Sequence, residues 1–194
     1  LYLIAGPNGS GKSTITARLL AYAAVAIVDP DAIARGIRPD APEAVAIEAG
    51  REALRQQTHF LALGQSFAVE TTLSGHGMLR LMEEARHQGY RVQLVFICID
   101  NVLTNIERVA ERTKRGGHHV PDEDVRRRYE RSLRNLRLAI DFADQVTLID
   151  NSSTQGPSEV LAIVDGAIVT QAPQLPRWVL MALGSFLTQE RGKA

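Results

Sequence analysis

The sequence lacks the features by which several large classes of protein are recognised. It has a single cysteine, Cys98, so a disulfide framework is excluded and a cytoplasmic setting is expected. The longest apolar stretch, near residues 92–99, is too short to cross a bilayer, which argues against a membrane protein. The formal net charge is zero and only 5% of the residues are aromatic, which argues against a nucleic-acid partner.

What remains is typical of one globular domain with a sizeable core: 194 residues, of which 45% are hydrophobic and 23% charged. Because the chain begins inside an apolar run without a methionine, we expect a few residues to precede it. Strand and helix signals alternate, which predicts right-handed βαβ units and a mainly parallel sheet with helices on both faces. The predicted strands cover residues 1–5, 25–29, 66–71, 91–99 and 145–150, followed by a hairpin at 160–169. The predicted helices cover residues 12–24, 42–63, 75–88, 102–114 and 121–142.

The opening residues, LYLIAGPNGSGKS, pass from an apolar strand into a glycine-rich turn that fits G-x-x-x-x-G-K-[ST]. Successive backbone N–H groups of such a loop surround phosphate oxygens, helped by the positive end of the helix that follows. We therefore expect a nucleoside triphosphate here, with Lys12 on the β- and γ-phosphates and the Ser13 hydroxyl on a magnesium ion. The predicted nucleotide-binding residues are Gly6, Asn8, Gly9, Ser10, Gly11, Lys12, Ser13 and Thr14.

A P-loop alone does not separate kinases from motors and switches, so the ends of the other strands must decide. The second strand ends in VDPDAIAR, where Asp31 lies beyond the expected γ-phosphate and suits activation of an acceptor hydroxyl. Capping of a helix that begins at Ala32 explains Asp31 equally well. The third strand ends in FAVETTLSG, whose Glu70 and Thr72 suit a polar substrate or magnesium-bound water. Helix capping by Thr72 or Ser74 is the alternative; it explains the hydroxyls but not Glu70.

The fourth predicted strand ends in Asp100, at the place where many nucleotide-hydrolysing proteins have a Walker B aspartate. Asn101 follows it, whereas an ATP-driven motor would have a water-activating glutamate there. We therefore interpret Asp100 as the cap of the helix that begins near Val102.

That helix carries arginines at a spacing that places them on one face. Arg108, Arg112 and Arg115 fall at i, i+4 and i+7, and a glycine-bearing connection at 116–120 follows. This arrangement predicts a lid that brings arginines over the transferring phosphoryl group, although a solvated helix face explains the spacing as well. The arginines from Arg128 to Arg137 recur every third residue and drift around their helix, so only the first can face one ligand.

The ordered set of motifs resembles the zeta-toxin family of P-loop kinases over about residues 1 to 151. The matching pieces are GPNGSGKST, VDPDAIAR, FAVETTLSG, NIERVAERTKRGGHHVP with RRRYERSL, and VTLIDNS. The resemblance implies an ATP- and magnesium-dependent kinase that phosphorylates a sugar hydroxyl of UDP-N-acetylglucosamine, with an antitoxin protein as a further partner. Together with the sequence pattern, it predicts residues 1–170 as a P-loop kinase domain with a helical lid near 108–128. The pattern of residues 171–194 predicts an amphipathic helical extension packed on that domain, and contact of its apolar face with a partner is the alternative.

Carried over by motif, the resemblance assigns a role to each matching residue. Asp31 is the catalytic base, Glu70 and Thr72 contact the nucleotide sugar, and Arg108 holds the transferring phosphate. The family's second arginine is replaced by His118, so Arg112 and Arg115 become candidate substitutes. Because the chain is also shorter than the longer family members, a kinase of another hydroxylated substrate remains an alternative: a sugar acid, a nucleoside, an antibiotic or a nucleic-acid 5′ end. A nucleotide switch or ATPase module is a further alternative.

Overall fold

The computed structural model describes residues 1–19, 25–117 and 119–191. The strands are β1 (Tyr2–Ala5), β2 (Ala26–Val28), β3 (Phe67–Thr71), β4 (Gln93–Cys98), β5 (Gln145–Asp150), β6 (Ser158–Val164) and β7 (Ala167–Gln171). The helices are α1 (Lys12–Leu19), α2 (Pro30–Ile37), α3 (Ala46–Ala62), α4 (Gly77–His87), α5 (Val102–Lys114), α6 (Asp122–Ile140) and α7 (Arg177–Arg191). The fold is therefore α/β, as the alternation of signals predicts.

The strands form one seven-stranded sheet in the order β2-β3-β1-β4-β5-β6-β7. The pairs among β1 to β5 are all parallel, whereas β6 and β7 extend the sheet by antiparallel pairing. The carboxyl ends of β2, β3, β1 and β4 thus lie side by side at one edge of the sheet. That edge is where ligands bind in open α/β sheets.

Alternate side chains of β1 enter two separate cores, one on each face of the sheet. Leu3 and Ala5 belong to the larger core, which also contains apolar side chains of α3, α4, α6 and α7. Ile4 packs on the other face against Ile15 of α1. Cys98 is fully buried, and burial raises the pKa of its thiol to about 12, as expected of a core residue. None of the described helices has the length and apolar content needed to cross a bilayer.

Two predicted helices differ from the structure by more than two residues at one end. The helix predicted at 42–63 is a short 3-10 helix, Pro42–Val45, followed by α3. Of the helix predicted at 12–24, residues 12–19 are helical and the last five lie outside the described residues.

Asp100 does not cap the helix that follows it, so that interpretation is wrong. Asn101 caps α5, because its side chain accepts from the Leu103 N–H at 3.0 Å. Asp100 instead accepts from the backbone N–H groups of Arg177 and Trp178 at 3.2 and 2.7 Å, at the start of α7. A carboxylate there satisfies two N–H groups at the first turn of α7 and complements the positive end of its dipole.

Removal of the Asp100 carboxylate is expected to destabilise the protein through α7. Asp100→Ala leaves the backbone N–H of the buried Trp178 without its acceptor. We therefore expect the free energy of unfolding to fall by about 0.5–2 kcal/mol. Asp100→Asn keeps an acceptor oxygen and serves as the matched control. Urea unfolding measures both variants, and equal stability of Asp100→Ala and the parent would contradict the capping role.

Candidate active site

The loop after β1 takes a shape that side chains larger than hydrogen would obstruct. Gly6, Gly9 and Gly11 have φ values of 145°, 76° and 95°, in the region that favours glycine. A Cβ on Gly6 would collide with the Ile97 carbonyl oxygen, and a Cβ on Gly9 with the backbone carbonyl of Asn105. The glycines are therefore required both by the turn and by the close approach of β4 and α5.

Lys12 begins α1 and reaches back across the loop. Its ammonium donates to the carbonyl oxygens of Gly6 and Pro7 at 2.7 and 2.9 Å. Burial lowers the pKa of Lys12 to about 8, and the nearby carboxylate of Glu70 only partly offsets this effect. The protein thus holds a desolvated cation at the place where the motif predicts the β- and γ-phosphates.

The lowered pKa of Lys12 gives ATP binding an expected pH dependence. When the solution pH equals the Lys12 pKa of about 8, about half of the free protein carries a neutral Lys12. Bound ATP raises this pKa, because its phosphate charges favour the charged ammonium. ATP binding at this pH should therefore take up about half a proton, and the affinity for ATP should fall as the pH rises further. Calorimetry in buffers of different ionisation enthalpy measures the uptake; uptake that persists in Lys12→Met would place the titrating group elsewhere.

Hydroxyl and carboxylate oxygens gather beside the loop in a set that fits magnesium. The hydroxyls of Ser13 and Thr16 donate to the two carboxylate oxygens of Glu70 at 2.8 and 3.0 Å. Magnesium prefers such oxygen ligands and keeps several waters when it accompanies a triphosphate. The described residues contain no cluster of three His, Cys, Asp or Glu side chains suited to a metal, and a site completed by phosphate and water needs none. The magnesium site at Ser13 remains a prediction.

The loop opens into a cavity of about 760 Å³, called here the P-loop cavity. This volume lies within the range of about 300–1,000 Å³ that is usual for small-molecule sites. Its walls come from the ends of β1, β2 and β3 and from α5, α6 and the segment after β5. The predicted site residues among its lining are Asn8, Gly9, Gly11, Lys12, Ser13, Thr14, Asp31, Glu70, Thr72, Arg108 and Arg112.

Two aspartates after β2, Asp29 and Asp31, line this cavity, and only Asp29 caps α2. Asp29 is the cap of α2: its carboxylate accepts from the Asp31 N–H at 2.9 Å. It also lies 3.6 Å from the Arg35 guanidinium, and burial raises the pKa of Asp29. Asp31 is exposed in the first turn of α2, so capping does not occupy its carboxylate. The capping interpretation of Asp31 is therefore wrong, and the cap belongs to Asp29.

The end of β3 lies between β2 and β1 in the sheet, and its polar side chains therefore stand between Asp31 and the P-loop. Thr72 and Ser74 line the cavity, with their hydroxyl oxygens 2.8 Å apart. Neither residue caps α4, whose first turn follows His76 without a side-chain cap. The roles of Glu70 and Thr72 in substrate binding remain predictions.

Of the three arginines predicted to share one face, two line the cavity and the third does not. Arg108 and Arg112 line the cavity, and Arg108 donates to the Asn151 carbonyl at 3.3 Å. Arg115 is the exposed C-cap residue that follows α5 and is not among the lining residues. His118, the residue at the position of the family's second arginine, lies outside the described residues. The helical lid remains a prediction.

Sequence reasoning gave no specific role to two further residues of the cavity wall. Arg128 of α6 lines the cavity and approaches the Asn8 side-chain oxygen at 3.4 Å. Asn151, which follows β5, donates from its side chain to the Ser10 carbonyl at 2.9 Å and thereby supports the P-loop. Arg128 had a signal as the first member of its stripe, and Asn151 had one as part of VTLIDNS, a matching piece to which the resemblance assigned no role.

Comparison with known proteins places the chain in a family. Residues 1–136 match the AAA domain family (AAA_33). An uncharacterized protein of Haemophilus influenzae is 39% identical over 125 residues, which cover 64% of this chain and 88% of that protein.

Solved structures share the fold at low identity. A chain of the AvrRxo1-ORF1:-ORF2 complex with ATP matches with a TM-score of 0.70 and 18% identity, over 87% of this chain and 59% of that one. This chain thus spans less than two thirds of that protein. A chain of the PezAT chromosomal toxin-antitoxin system of Streptococcus pneumoniae matches with a TM-score of 0.59 and 16% identity, over 98% of this chain and 87% of that one. The protein belongs to the AAA domain family and has a P-loop kinase-like fold.

Proposed function

We propose that this protein is a kinase that transfers the γ-phosphoryl group of ATP to a hydroxyl of a UDP-activated amino sugar. The observation that carries the proposal is the P-loop cavity, in which phosphate-binding groups and the Asp31 carboxylate share one space. In the reaction the acceptor oxygen forms a bond to the γ-phosphorus, and the bond to the β–γ bridging oxygen breaks. ADP leaves, and the hydroxyl proton passes to Asp31.

The nucleotide side of the cavity supplies binding and charge stabilisation. Loop N–H groups and Lys12 hold the β- and γ-phosphates, while Arg108 and Arg112 face the oxygens that gain charge during transfer. Ser13 would hold magnesium, with Glu70 accepting from its hydroxyl or from metal-bound water. Bound magnesium neutralises phosphate charge and orients the triphosphate.

The acceptor side suits a polyhydroxylated substrate. The hydroxyls of Thr72 and Ser74 both donate and accept hydrogen bonds, and they line the wall between Asp31 and the P-loop. The choice of a UDP-activated amino sugar rests on the zeta-toxin motifs and on the likeness in fold to a chain of a toxin-antitoxin system. An antitoxin protein as a partner, and hence a toxin role, belongs to the same proposal and rests on the same likeness.

Mass spectrometry after incubation with ATP, magnesium and a panel of acceptors tests the proposal. The panel contains UDP-N-acetylglucosamine, other nucleotide sugars, free N-acetylglucosamine, a sugar acid, a nucleoside, an aminoglycoside and a 5′-hydroxyl oligonucleotide. We expect the UDP-amino sugars to gain the mass of one phosphate. Transfer to another class alone would identify a different small-molecule kinase, and ATP hydrolysis without transfer to any acceptor would indicate an ATPase module.

Loss of the Arg108 side chain is expected to slow transfer more than it weakens ATP binding. Arg108→Ala should lower kcat by about 10²–10³-fold, because the guanidinium acts on charge that develops during transfer. Arg126→Ala, at an exposed position on α6 outside the cavity wall, is the matched control. Arg115→Ala tests whether Arg115 acts with Arg108. If helical spacing decides, kcat should fall as much as in Arg108→Ala; if the cavity lining decides, kcat should fall much less, because Arg115 lies outside the lining. Steady-state kinetics with varied ATP measures all three variants.

A further inference from the structure

One residue beside the active site has a backbone conformation that its side chain disfavours. Leu73 has a φ of 56° and is fully buried, although it is neither glycine nor a small polar residue. A bulky residue with positive φ is an outlier that persists only where the surrounding structure fixes it. Such residues cluster at functional sites, and Leu73 stands between the cavity-lining Thr72 and Ser74.

The groups that fix this conformation come from α6. The Asn135 side chain donates to the Leu73 carbonyl at 2.8 Å, and the Ser132 hydroxyl shares its one hydrogen between the carbonyls of Thr72 and of Arg128 in its own helix. Both polar side chains are buried, with 5% and 0% of their surface exposed, so neither exchanges these bonds readily for water. A third bond, from the Leu73 N–H to the Thr71 hydroxyl at 3.1 Å, closes the turn locally.

The segment held in this way, Thr71–Ser74, forms part of the cavity wall beside the proposed acceptor position. It begins at the last residue of β3, the strand that separates the one leading to Asp31 from the one leading to the P-loop. Because the Thr72 and Ser74 hydroxyl oxygens lie 2.8 Å apart on either side of Leu73, the conformation of Leu73 sets the position of both. These hydroxyls are the acceptor-side groups of the cavity wall that carry no charge.

We propose that Ser132 and Asn135 are positioning residues for the acceptor: they fix Thr71–Ser74 so that its hydroxyls meet the substrate. This inference rests on the proposed kinase function. It gives a task to the RRRYERSLRN part of α6, whose Arg128 reaches Asn8 of the P-loop one helical turn before Ser132. One helix thus holds both the nucleotide side and the acceptor side of the cavity.

Substitution of Asn135 tests the inference by separating the two substrates. Asn135→Leu removes the donor to Leu73 while nearly keeping the volume, and Ser132→Ala removes the second donor with a smaller change. Each variant should raise KM for the acceptor about tenfold and leave Kd for ATP within about twofold. Amide hydrogen exchange in peptides covering 71–75 should accelerate about tenfold in the same variants. Tyr90→Phe, which loses a 2.8 Å bond to the Phe60 carbonyl away from the cavity, is the control for a lost hydrogen bond.

The outcomes distinguish this inference from the function on which it rests. Raised KM for the acceptor with unchanged ATP affinity supports it, whereas unchanged KM in both variants, or an equal loss of affinity for both substrates, overturns it. If Asn135→Leu does not fold, Ser132→Ala decides alone. A parental protein that phosphorylates no acceptor removes the kinase proposal and this inference together, while a parental protein that does so with unaffected variants removes the inference only.

Discussion

Replacement of Asp31 by asparagine is expected to lower the rate of phosphoryl transfer by about 10²–10⁴-fold, the usual contribution of a general base. Asparagine keeps the size of the side chain but cannot accept the hydroxyl proton at neutral pH. Because Asp29, and not Asp31, caps α2, the substitution leaves the cap intact, and we expect Kd for ATP within about twofold of the parental value. Single-turnover transfer and ATP titration measure the two quantities separately.

Asp40→Asn is the matched control for this variant. Asp40 is an exposed aspartate just beyond α2, 4.0 Å from the Arg38 guanidinium, and it does not line the cavity. The Asp40→Asn variant should therefore transfer phosphate at the parental rate. Parental activity of Asp31→Asn would exclude proton transfer to Asp31, and a parallel loss in both variants would indicate a general charge effect.

Loss of Lys12 is expected to affect both binding and transfer. Lys12→Ala removes a partly buried cation from the predicted phosphate site, which should weaken ATP binding by about 10- to 100-fold, the effect of a charge-assisted hydrogen bond. Transfer at saturating ATP should fall by a further factor of about 10²–10³, because the ammonium also stabilises charge that develops on the phosphates. Calorimetric titration and single-turnover transfer measure the two effects.

Lys114→Ala is the matched control, since Lys114 ends α5 in an exposed position outside the cavity wall. This variant should retain parental binding and transfer. If Lys12→Ala binds ATP as tightly as Lys114→Ala does, the loop does not hold the triphosphate in the expected way, and the assignment of the nucleotide side fails.

The parts of the fold that local patterns determine could be predicted closely. The bounds predicted for α5 and β5 are those observed, because an apolar stripe and a buried run each end there at polar residues. The P-loop glycines follow from a motif whose spacing encodes the turn itself. Such features need only contacts between residues close together in the chain.

The parts that depend on distant contacts could not be read from the sequence. Asp100 caps α7, which begins 77 residues later, and nothing near Asp100 distinguishes that role from a cap of α5. Asn151 reaches Ser10 across 141 residues, and Asn135 reaches Leu73 across 62. Each of these polar residues has several local uses, so only the assembled sheet shows which carbonyl or N–H it meets.

The central claim is that Asp31 and the terminal phosphate of ATP face each other across an open part of the P-loop cavity. A crystal structure with magnesium and a non-hydrolysable ATP analogue tests it most directly. We expect the γ-phosphate beside Lys12 and Arg108, and the Asp31 carboxylate across a solvent-filled gap wide enough for one acceptor hydroxyl. A bound analogue whose γ-phosphate is separated from Asp31 by packed protein would contradict the claim.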